Sequence, residues 1–290
     1  MRTAKRYGWR RDLPDHRDFK LSPPASISAL PPKVDLRPEC PPVYNQGELG
    51  SCTANAIGGA FEFEILRQGL KDFSPSRLFI YYNEREIEGD TDQDNGAQIR
   101  DGMKSIATQG VCPELAWPYI PAAFATKPSE NCYLIALESK SVQYLSMAQD
   151  INHLKGCLAD GFPFVVGISV FESFESDTVA VTGLVPMPGP KESCIGGHAV
   201  MAVGYDDTLG SFLMRNSWGD GWGLAGYFYL PYEYLTDSGL ASDFWTVRSV
   251  EEGSASAPAV TPKTEVKTAS DTKGFQIVEN GGKKAILRVD

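Results

Sequence analysis

The chain contains three histidines, so a histidine that could act in acid–base chemistry is easy to find. His16 lies in a basic stretch near the start of the chain, and His153 lies in a predicted helix. Both positions are typical of solvated or structural residues. His198 follows two glycines and begins the apolar run HAVMAVGYDD, where a lone histidine is more often a core residue than a catalyst. Two other segments favour the catalytic interpretation.

The first of these segments, NQGELGSC, brings a cysteine to the start of a helix predicted from Cys52 to Gln68. A helix N-terminus has unpaired N–H groups and a partial positive charge, which lower a thiol pKa and favour the nucleophilic thiolate. The small flanking residues predict an accessible sulfur. Gln46 precedes the cysteine on a turn that could fold back over the helix start. Its amide and the Cys52 N–H would then form an oxyanion hole.

The second segment is RNSWGDGWG, in which Asn216 ends a predicted strand. Its side-chain carbonyl could hold one ring nitrogen of His198 and fix the tautomer, while Trp218 covers that hydrogen bond. The alternative is a turn rich in glycine and tryptophan that only packs. Taken together, the order Gln46, Cys52, His198, Asn216 favours nucleophilic catalysis by a thiol.

The elements that must position these residues change character along the chain. Periodic apolar residues predict helices from Cys52, from an N-cap at Ser74, and from Ala97 to Thr108. The later runs PFVVGISVF, HAVMAVGYDD, SFLMRNSWG and GYFYLPYEY predict strands of an antiparallel sheet or barrel. Helices followed by strands indicate an α+β fold with two lobes.

Composition divides the chain into four parts. Residues 1–33 form a basic, proline-rich arm, and residues 34–250 form the folded body, mainly helical over 34–140 and mainly β over 141–250. Residues 251–273 are polar and predict a flexible linker. Residues 274–290 predict either a β-hairpin turned at Asn280-Gly281 or a frayed tail. The arm is expected either to lie across the active site or to pack elsewhere.

The overall charge and hydropathy exclude several classes of protein. The 290 residues carry a net charge of −10, so we expect neither nucleic-acid binding nor loose attachment to anionic membranes. No apolar run of about 18 residues predicts a membrane span. The first residues lack the apolar stretch of a secretory signal, which favours the cytoplasm and leaves release without a cleavable signal open. We expect a monomer.

From about Val34 to Trp245 the chain resembles the papain-like cysteine peptidases, and its short arm is similar to the bacterial branch of that family. The resemblance rests on NQG followed by GSC and on GHAVMAVGYD followed by RNSWGDGWG. It implies a papain-like fold of two lobes, one mainly helical and one an antiparallel β-barrel-like lobe, with the active site in the cleft between them. It also implies a thiol protease that needs no metal or organic cofactor.

The resemblance assigns roles to the four residues. Cys52 would be the nucleophile, His198 its acid–base partner, Asn216 the residue that orients His198, and Gln46 a donor to the oxyanion. Acylation would give a thioester that water hydrolyses. The partners implied are protein or peptide substrates and inhibitors of cysteine proteases.

The resemblance further implies where substrate binds. The positions are Asn95, Gly96, Ala97, Gly167, Gly197, Trp218 and Asp243. Ala97 replaces a glycine of the family, and Gly197 stands where Asp or Asn is frequent. Leu49 replaces a cysteine, so one family disulfide is missing. A carboxylate of Asp243 at the floor of the main specificity pocket would admit a basic side chain as well as an apolar one.

Three functions remain open at this point. The leading one is a cysteine endopeptidase. The same residues would also serve other thiol-dependent acyl transfer, in an exopeptidase or a deamidase. An inactive papain-like binding module is the third, and the presence of all four residues argues against it.

Overall fold

The three longest helices lie in the first half of the folded chain, and most strands of the large sheet lie in the second half. The computed structural model describes residues 7–23, 30–252, 275–280 and 283–288. Its α-helices are α1 (Cys52–Arg67), α2 (Arg77–Glu88), α3 (Ile99–Thr108), α4 (Glu130–Ala136), α5 (Ile151–Ala159), α6 (Asp177–Thr182) and α7 (Tyr232–Thr236). Its strands are β1 (Trp9–Arg10), β2 (Lys33–Asp35), β3 (Ala97–Gln98), β4 (Ser139–Ser146), β5 (Phe164–Phe171), β6 (Cys194–Asp206), β7 (Ser211–Arg215), β8 (Tyr227–Pro231), β9 (Ala241–Glu252), β10 (Phe275–Asn280) and β11 (Lys283–Arg288). This order confirms the predicted α+β class.

Helix α1 is the central helix of the body, and every residue from Cys52 to Ile65 is buried. It packs against α2 and α3 on one side and against β6 and β9 on the other. A Cβ at Gly59 would lie only 3.4 Å from the Arg215 side chain, so this glycine allows the sheet to pack closely. The helix ends just before Gly69, whose φ of +67° favours glycine. These contacts fix the start of α1, and with it Cys52, against the sheet.

The starts of the next two helices differ from the predictions. Helix α2 begins after Ser76, whose hydroxyl accepts a hydrogen bond from the Phe79 N–H at 3.1 Å, and so the predicted N-cap at Ser74 is wrong. Helix α3 begins at Ile99 rather than at Ala97, because Ala97 and Gln98 form the short strand β3. Backbone pairing to another segment outcompetes helix extension there.

The sheet of the second half is antiparallel, in the order β4-β9-β5-β6-β7-β8, with β2 paired to β6. Strand β6 lies inside the sheet, and it is buried from His198 to Asp206. Strand β5 pairs with it so that Ile168 lies opposite His198. The candidate histidine is thus held by a strand with neighbours on both sides.

Residues 255–290 form a second unit, and the body belongs to residues 1–254. In the second unit β10 pairs antiparallel with β11, with Phe275 opposite Arg288 and Asn280 opposite Lys283. The predicted linker lies outside the described residues from position 253 onward. Among the described residues, no helix is long and apolar enough to cross a membrane.

Candidate active site

His198 and Asn216 are joined by a buried hydrogen bond, with 2.8 Å between His198 Nε2 and Asn216 Oδ1. Pairing of β6 with β7 puts Met201 opposite Arg215, so the residue that follows β7 reaches the beginning of β6. The Ser217 N–H also donates to Asn216 Oδ1, at 2.8 Å. These two hydrogen bonds hold the amide oxygen in place against the imidazole.

An aromatic cluster covers this hydrogen bond. Trp218 stacks on His198 with ring centroids 5.0 Å apart and an interplanar angle of 26°. Phe174 and Trp222 pack edge-on against Trp218, at 5.6 Å and 5.1 Å. The buried indole of Trp218 thus shields the imidazole and the amide from water, as the sequence predicted.

Cys52 lies at the N-terminus of α1 and its side chain is completely buried. Backbone hydrogen bonds from Ala199, Gly8 and Thr53 favour the thiolate, but burial outweighs them and raises the pKa of the Cys52 thiol to about 11. Ala199 directly follows His198, so its N–H joins the sulfur to the histidine strand. The predictions of an accessible sulfur and a lowered pKa are therefore wrong for this conformation, because another segment covers the cysteine.

Gln46 connects the loop before α1 to the segment that follows Asn216. Its backbone N–H donates to the Ser217 carbonyl at 2.9 Å, and its Oε1 accepts from Ser217 Oγ at 2.6 Å. Its Nε2 donates to the Leu49 carbonyl at 2.9 Å. Sequence reasoning missed Ser217. Because the Ser217 hydroxyl donates to Gln46 Oε1, the Nε2 group of Gln46 is the end of the amide that points toward the start of α1.

The segment that covers Cys52 is the arm itself, and we call residues 7–10 the cleft segment. Gly8 lies against Gly50 and Gly96, and a Cβ on Gly8 would overlap the Gly50 carbonyl. The Ala97 N–H donates to the Gly8 carbonyl at 2.7 Å, and β1 then pairs in parallel with β3. Only glycine fits between the two backbones at position 8.

Trp9 brings three of the predicted substrate-binding residues together. A Cβ on Gly167 would overlap the Trp9 indole, and a Cβ on Gly197 would lie 2.7 Å from its ring. The indole Nε1 donates to Asp243 Oδ2 at 2.9 Å. Strand β9 carries an extra residue at this point, and the bulge gives Asp243 a φ of +62° and turns its carboxylate into the pocket.

The predicted stretch 95–97 contacts the arm through its backbone. Gly96 has a φ of +74° and lies directly under Gly8, and Ala97 supplies the hydrogen bond to the Gly8 carbonyl. The exposed side chain of Asn95 donates to Asp90 Oδ2 at 3.1 Å. The Asn95 side chain therefore points to a neighbouring surface loop and not toward the arm.

Tyr7 and Trp9 flank Gly8, whose backbone is hydrogen-bonded to Cys52. Its ring meets His198 edge-on at 5.9 Å and Trp218 at 6.3 Å. Its hydroxyl donates to the Glu175 carboxylate, and burial together with this hydrogen bond raises the pKa of Tyr7. Sequence reasoning missed Tyr7, Trp9 and Glu175. Two aromatic residues that flank a glycine in a proline-rich arm were the available signal.

Residues 12–21 of the arm, which we call the anchor segment, attach it to the body beyond the cleft. The Asp12 N–H donates to Asp243 Oδ2 at 2.8 Å, and the Asp12 carboxylate accepts from Trp245 Nε1 at 2.8 Å and from the Arg100 N–H at 3.1 Å. Burial and the neighbouring Asp243 raise the pKa of Asp12 to about 7. Asp18 forms an ion pair with Arg100 at 2.7 Å.

Comparison with known proteins identifies the family of this chain. The family model "Papain family cysteine protease" matches residues 30–247. An uncharacterized peptidase C1-like protein of Acanthamoeba polyphaga mimivirus is 44% identical over 86% of this chain and 88% of its own length. Cathepsin K of Gallus gallus is 29% identical over 74% of this chain, which spans 63% of that relative.

The crystal structure of xylellain, a cysteine protease from Xylella fastidiosa, matches with a TM-score of 0.80 and 47% identity, over 86% of this chain and 98% of that one. The predicted two-lobed papain-like fold is thereby confirmed. The family model covers most of the chain, and the relative that is 44% identical is matched over 88% of its own length. This chain therefore belongs to the papain family of cysteine proteases and is a cysteine-type peptidase acting on peptide substrates.

Proposed function

We propose that the protein is an endopeptidase that works through Cys52, His198 and Asn216, and that its own arm masks it. The observation that carries this proposal is the buried hydrogen bond between His198 Nε2 and Asn216 Oδ1, with Trp218 stacked over it. A structural histidine needs no such shielded orienting partner next to the N-terminus of a cysteine-bearing helix. A histidine that must present one chosen nitrogen to a thiol does need one.

In the proposed reaction His198 holds the proton of Cys52, and the thiolate attacks the carbonyl carbon of the scissile bond. The Cys52 N–H and the Gln46 amide donate to the oxygen that becomes negative. The tetrahedral intermediate collapses, the C–N bond breaks, and His198 gives its proton to the leaving amine. Water then hydrolyses the thioester with His198 as the base, which restores the thiol.

The course of the cleft segment favours an endopeptidase over an exopeptidase. A continuous polypeptide passes Cys52, with Tyr7 on the side of His198 and Trp9 on the side of Gly167. A cleft that accepts chain on both sides of the nucleophile suits a substrate that is cut internally.

Asp243 is proposed to select the residue two positions before the scissile bond. In the masked enzyme its carboxylate accepts from the Trp9 indole, so the pocket combines apolar walls with one acceptor at its floor. An arginine side chain offers the same combination of apolar stem and N–H donor. We expect Asp243→Ala to lower kcat/KM for a substrate with arginine at this position, and to leave a phenylalanine substrate nearly unchanged. An unaltered ratio of the two would contradict the role of Asp243.

Labelling of the thiol tests the proposed function directly. The full chain and its Cys52→Ala variant are treated with an epoxysuccinyl inhibitor of papain-like peptidases, alongside hydrolysis of a dipeptidyl-arginine fluorogenic substrate. We expect stoichiometric labelling at Cys52 and loss of hydrolysis in the variant. Hydrolysis that survives in Cys52→Ala, or a chain that is never labelled even with the arm displaced, would contradict the proposal.

A further inference from the structure

The arm marks a second specificity pocket, on the side where the leaving amine departs. Trp9 fills the pocket on the acyl side, and Tyr7, two residues earlier, lies beyond Cys52 against His198. His198 is the residue that protonates the leaving amine in the proposed mechanism. The space that the Tyr7 side chain occupies is therefore the space of the substrate residue that follows the scissile bond.

The walls of this pocket are aromatic, and its floor is a glycine. A Cβ on Gly196 would lie 2.7 Å from the Tyr7 side chain, so the glycine lets a large side chain lie flat on the strand. His198 and Trp218 form one wall, at ring distances of 5.9 Å and 6.3 Å from Tyr7. The aromatic wall and the glycine floor thus suit the apolar stem of a substrate side chain.

A carboxylate closes the far end of the pocket. Glu175 ends a 3₁₀ turn, Glu172–Glu175, and its carboxylate accepts the hydrogen bond of the Tyr7 hydroxyl. Phe174, the preceding residue, is buried against Trp218 and stacks on Trp222 at 5.8 Å, so the turn is fixed to the aromatic cluster beside His198. The carboxylate is therefore held at a set distance from the reacting atoms.

Further carboxylates lie on or against the same turn. Glu172 and Asp177 lie within three residues of Glu175, and the Glu192 carboxylate accepts from the Ser173 N–H at 2.8 Å on the same turn. A carboxylate that ends an aromatic-walled slot matches a side chain with an apolar stem and a cationic tip. Arginine fits best, because its guanidinium forms bidentate pairs with carboxylates and stacks on indole rings.

We propose that Glu175 is a specificity residue that selects substrates with arginine or lysine immediately after the scissile bond. This inference rests on the proposed endopeptidase function and names the substrate class for the leaving-group side. In the masked enzyme Tyr7 holds this pocket, with its phenolic O–H in the position of the substrate's cationic donor.

Partitioning of the acyl-enzyme tests the inference on the full chain. A dipeptidyl-arginine ester acylates Cys52, and the thioester is then shared between water and an added amino acid amide. The amine nitrogen attacks the thioester carbonyl, the C–S bond breaks, and the amine proton passes through His198 to the departing sulfur. The ratio of aminolysis to hydrolysis does not depend on how many molecules have an open cleft.

Argininamide is compared with norvalinamide, which has the same three-carbon stem without the guanidinium. We expect argininamide to be preferred about fivefold, as for one partly exposed charge pair. Glu175→Gln should bring the preference below about twofold, and Glu175→Lys should reverse it in favour of a glutamic acid amide. Glu172→Gln, an equal charge change on the exposed start of the same turn and without a hydrogen bond to Tyr7, should lower the preference much less than Glu175→Gln does.

The outcomes separate the inference from the function on which it rests. Turnover with equal partitioning in wild type and Glu175→Gln overturns the inference alone. If the ester is not turned over, labelling of Cys52 by two epoxysuccinyl peptides that carry arginine or norvaline on the leaving-group side measures the same preference. An equal rate for the two again overturns the inference, and the absence of both turnover and labelling overturns the proposed function and the inference with it.

Discussion

The cleft segment and the anchor segment belong to one continuous arm, but they are held in different ways. Residues 7–10 contact the body through two aromatic rings, a glycine and a short parallel pairing that together cover Cys52 and His198, and through an ion pair of Arg10 with Glu88. Residues 12–21 contact it through carboxylates, an ion pair to Arg100 and backbone hydrogen bonds to Ser146, with Phe19 and Leu21 at 2.8 Å each. In the proposed function the first segment masks the active site, and the second fastens the arm to the body beside it.

This difference indicates that opening does not require the whole arm to detach. Local opening has its own free energy, set by the contacts of the segment that moves. If the cleft segment lifts alone, contacts within it control access to Cys52, while contacts of the anchor segment have a weaker, indirect effect. The two segments then respond differently to matched substitutions, and the rate at which an epoxysuccinyl inhibitor labels Cys52 reports the difference.

The largest effect on the labelling rate of Cys52 is expected from Gly8→Ala, at the position where the arm lies closest to the backbone of the body. The new Cβ would overlap the Gly50 carbonyl, and since both partners are backbone the segment has to move outward. Overpacking of this kind costs about 2 kcal/mol, which corresponds to a labelling rate about thirtyfold higher. The matched control is Gly221→Ala, whose Cβ would have no neighbour within 4 Å.

The same variant tests the thiol. With the cleft segment displaced, the burial that raises the pKa of Cys52 to about 11 is relieved, so the thiolate should form at lower pH than in wild type. Thiolate absorbance followed against pH measures this shift. Equal labelling rates and equal titration curves in Gly8→Ala and wild type would mean that the arm does not mask the enzyme.

The next largest effect concerns pH and arises where the two segments meet. In the closed arm Asp12 faces Asp243, Arg100 and Trp245, and its pKa is about 7. Asp12 directly follows the cleft segment, so we expect it to leave Asp243 and Trp245 when that segment lifts, and its pKa should then return to about 4. Closing therefore takes up a proton between about pH 4 and 7, so acid favours the closed arm and closing weakens as pH rises through 7. We expect opening to increase about tenfold from pH 6 to pH 8.

Thiol ionisation also speeds labelling at high pH, so the measurement is a ratio to Asp12→Asn at each pH. The asparagine does not ionise, and it lacks one hydrogen-bond acceptor at every pH. The lost acceptor therefore changes the ratio of the two labelling rates by the same factor at every pH. The ratio of the wild-type rate to the variant rate should rise about tenfold between pH 6 and pH 8. A ratio that does not change with pH would show that ionisation of Asp12 does not control the opening of the arm.

The predictable parts of this molecule are those that local sequence determines. The helix that begins at Cys52 follows from its apolar period, and the antiparallel strands follow from short apolar runs. The hydrogen bond of His198 to Asn216 and the cover by Trp218 were foreseen, because two motifs on neighbouring strands leave little choice of partners.

The contacts of the arm were beyond local reasoning. Trp9 meets Asp243 across 234 positions, and Tyr7 meets Glu175 across 168. Neither Trp9 nor Tyr7 lies in a periodic pattern or a motif that predicts its contact partner. The same contacts reversed the expectation for Cys52, since the desolvation of a buried thiolate raises the thiol pKa by more than the helix N-terminus lowers it. Burial by a distant segment cannot be inferred from the residues beside the cysteine.

The smallest effect is expected from Asp18→Asn, which loosens the anchor segment and leaves the cleft segment intact. It removes the ion pair to Arg100, whose guanidinium still donates to the Leu13 carbonyl. A pair of this kind contributes about 0.7 kcal/mol, and the hydrogen bonds to Ser146 remain, so labelling should rise only about threefold. Asp15→Asn is the control with the same charge change, because Asp15 pairs with Arg17 inside the arm. A rise in Asp18→Asn as large as that in Gly8→Ala would mean that the arm opens as one body, and the distinction between mask and fastening would then be wrong.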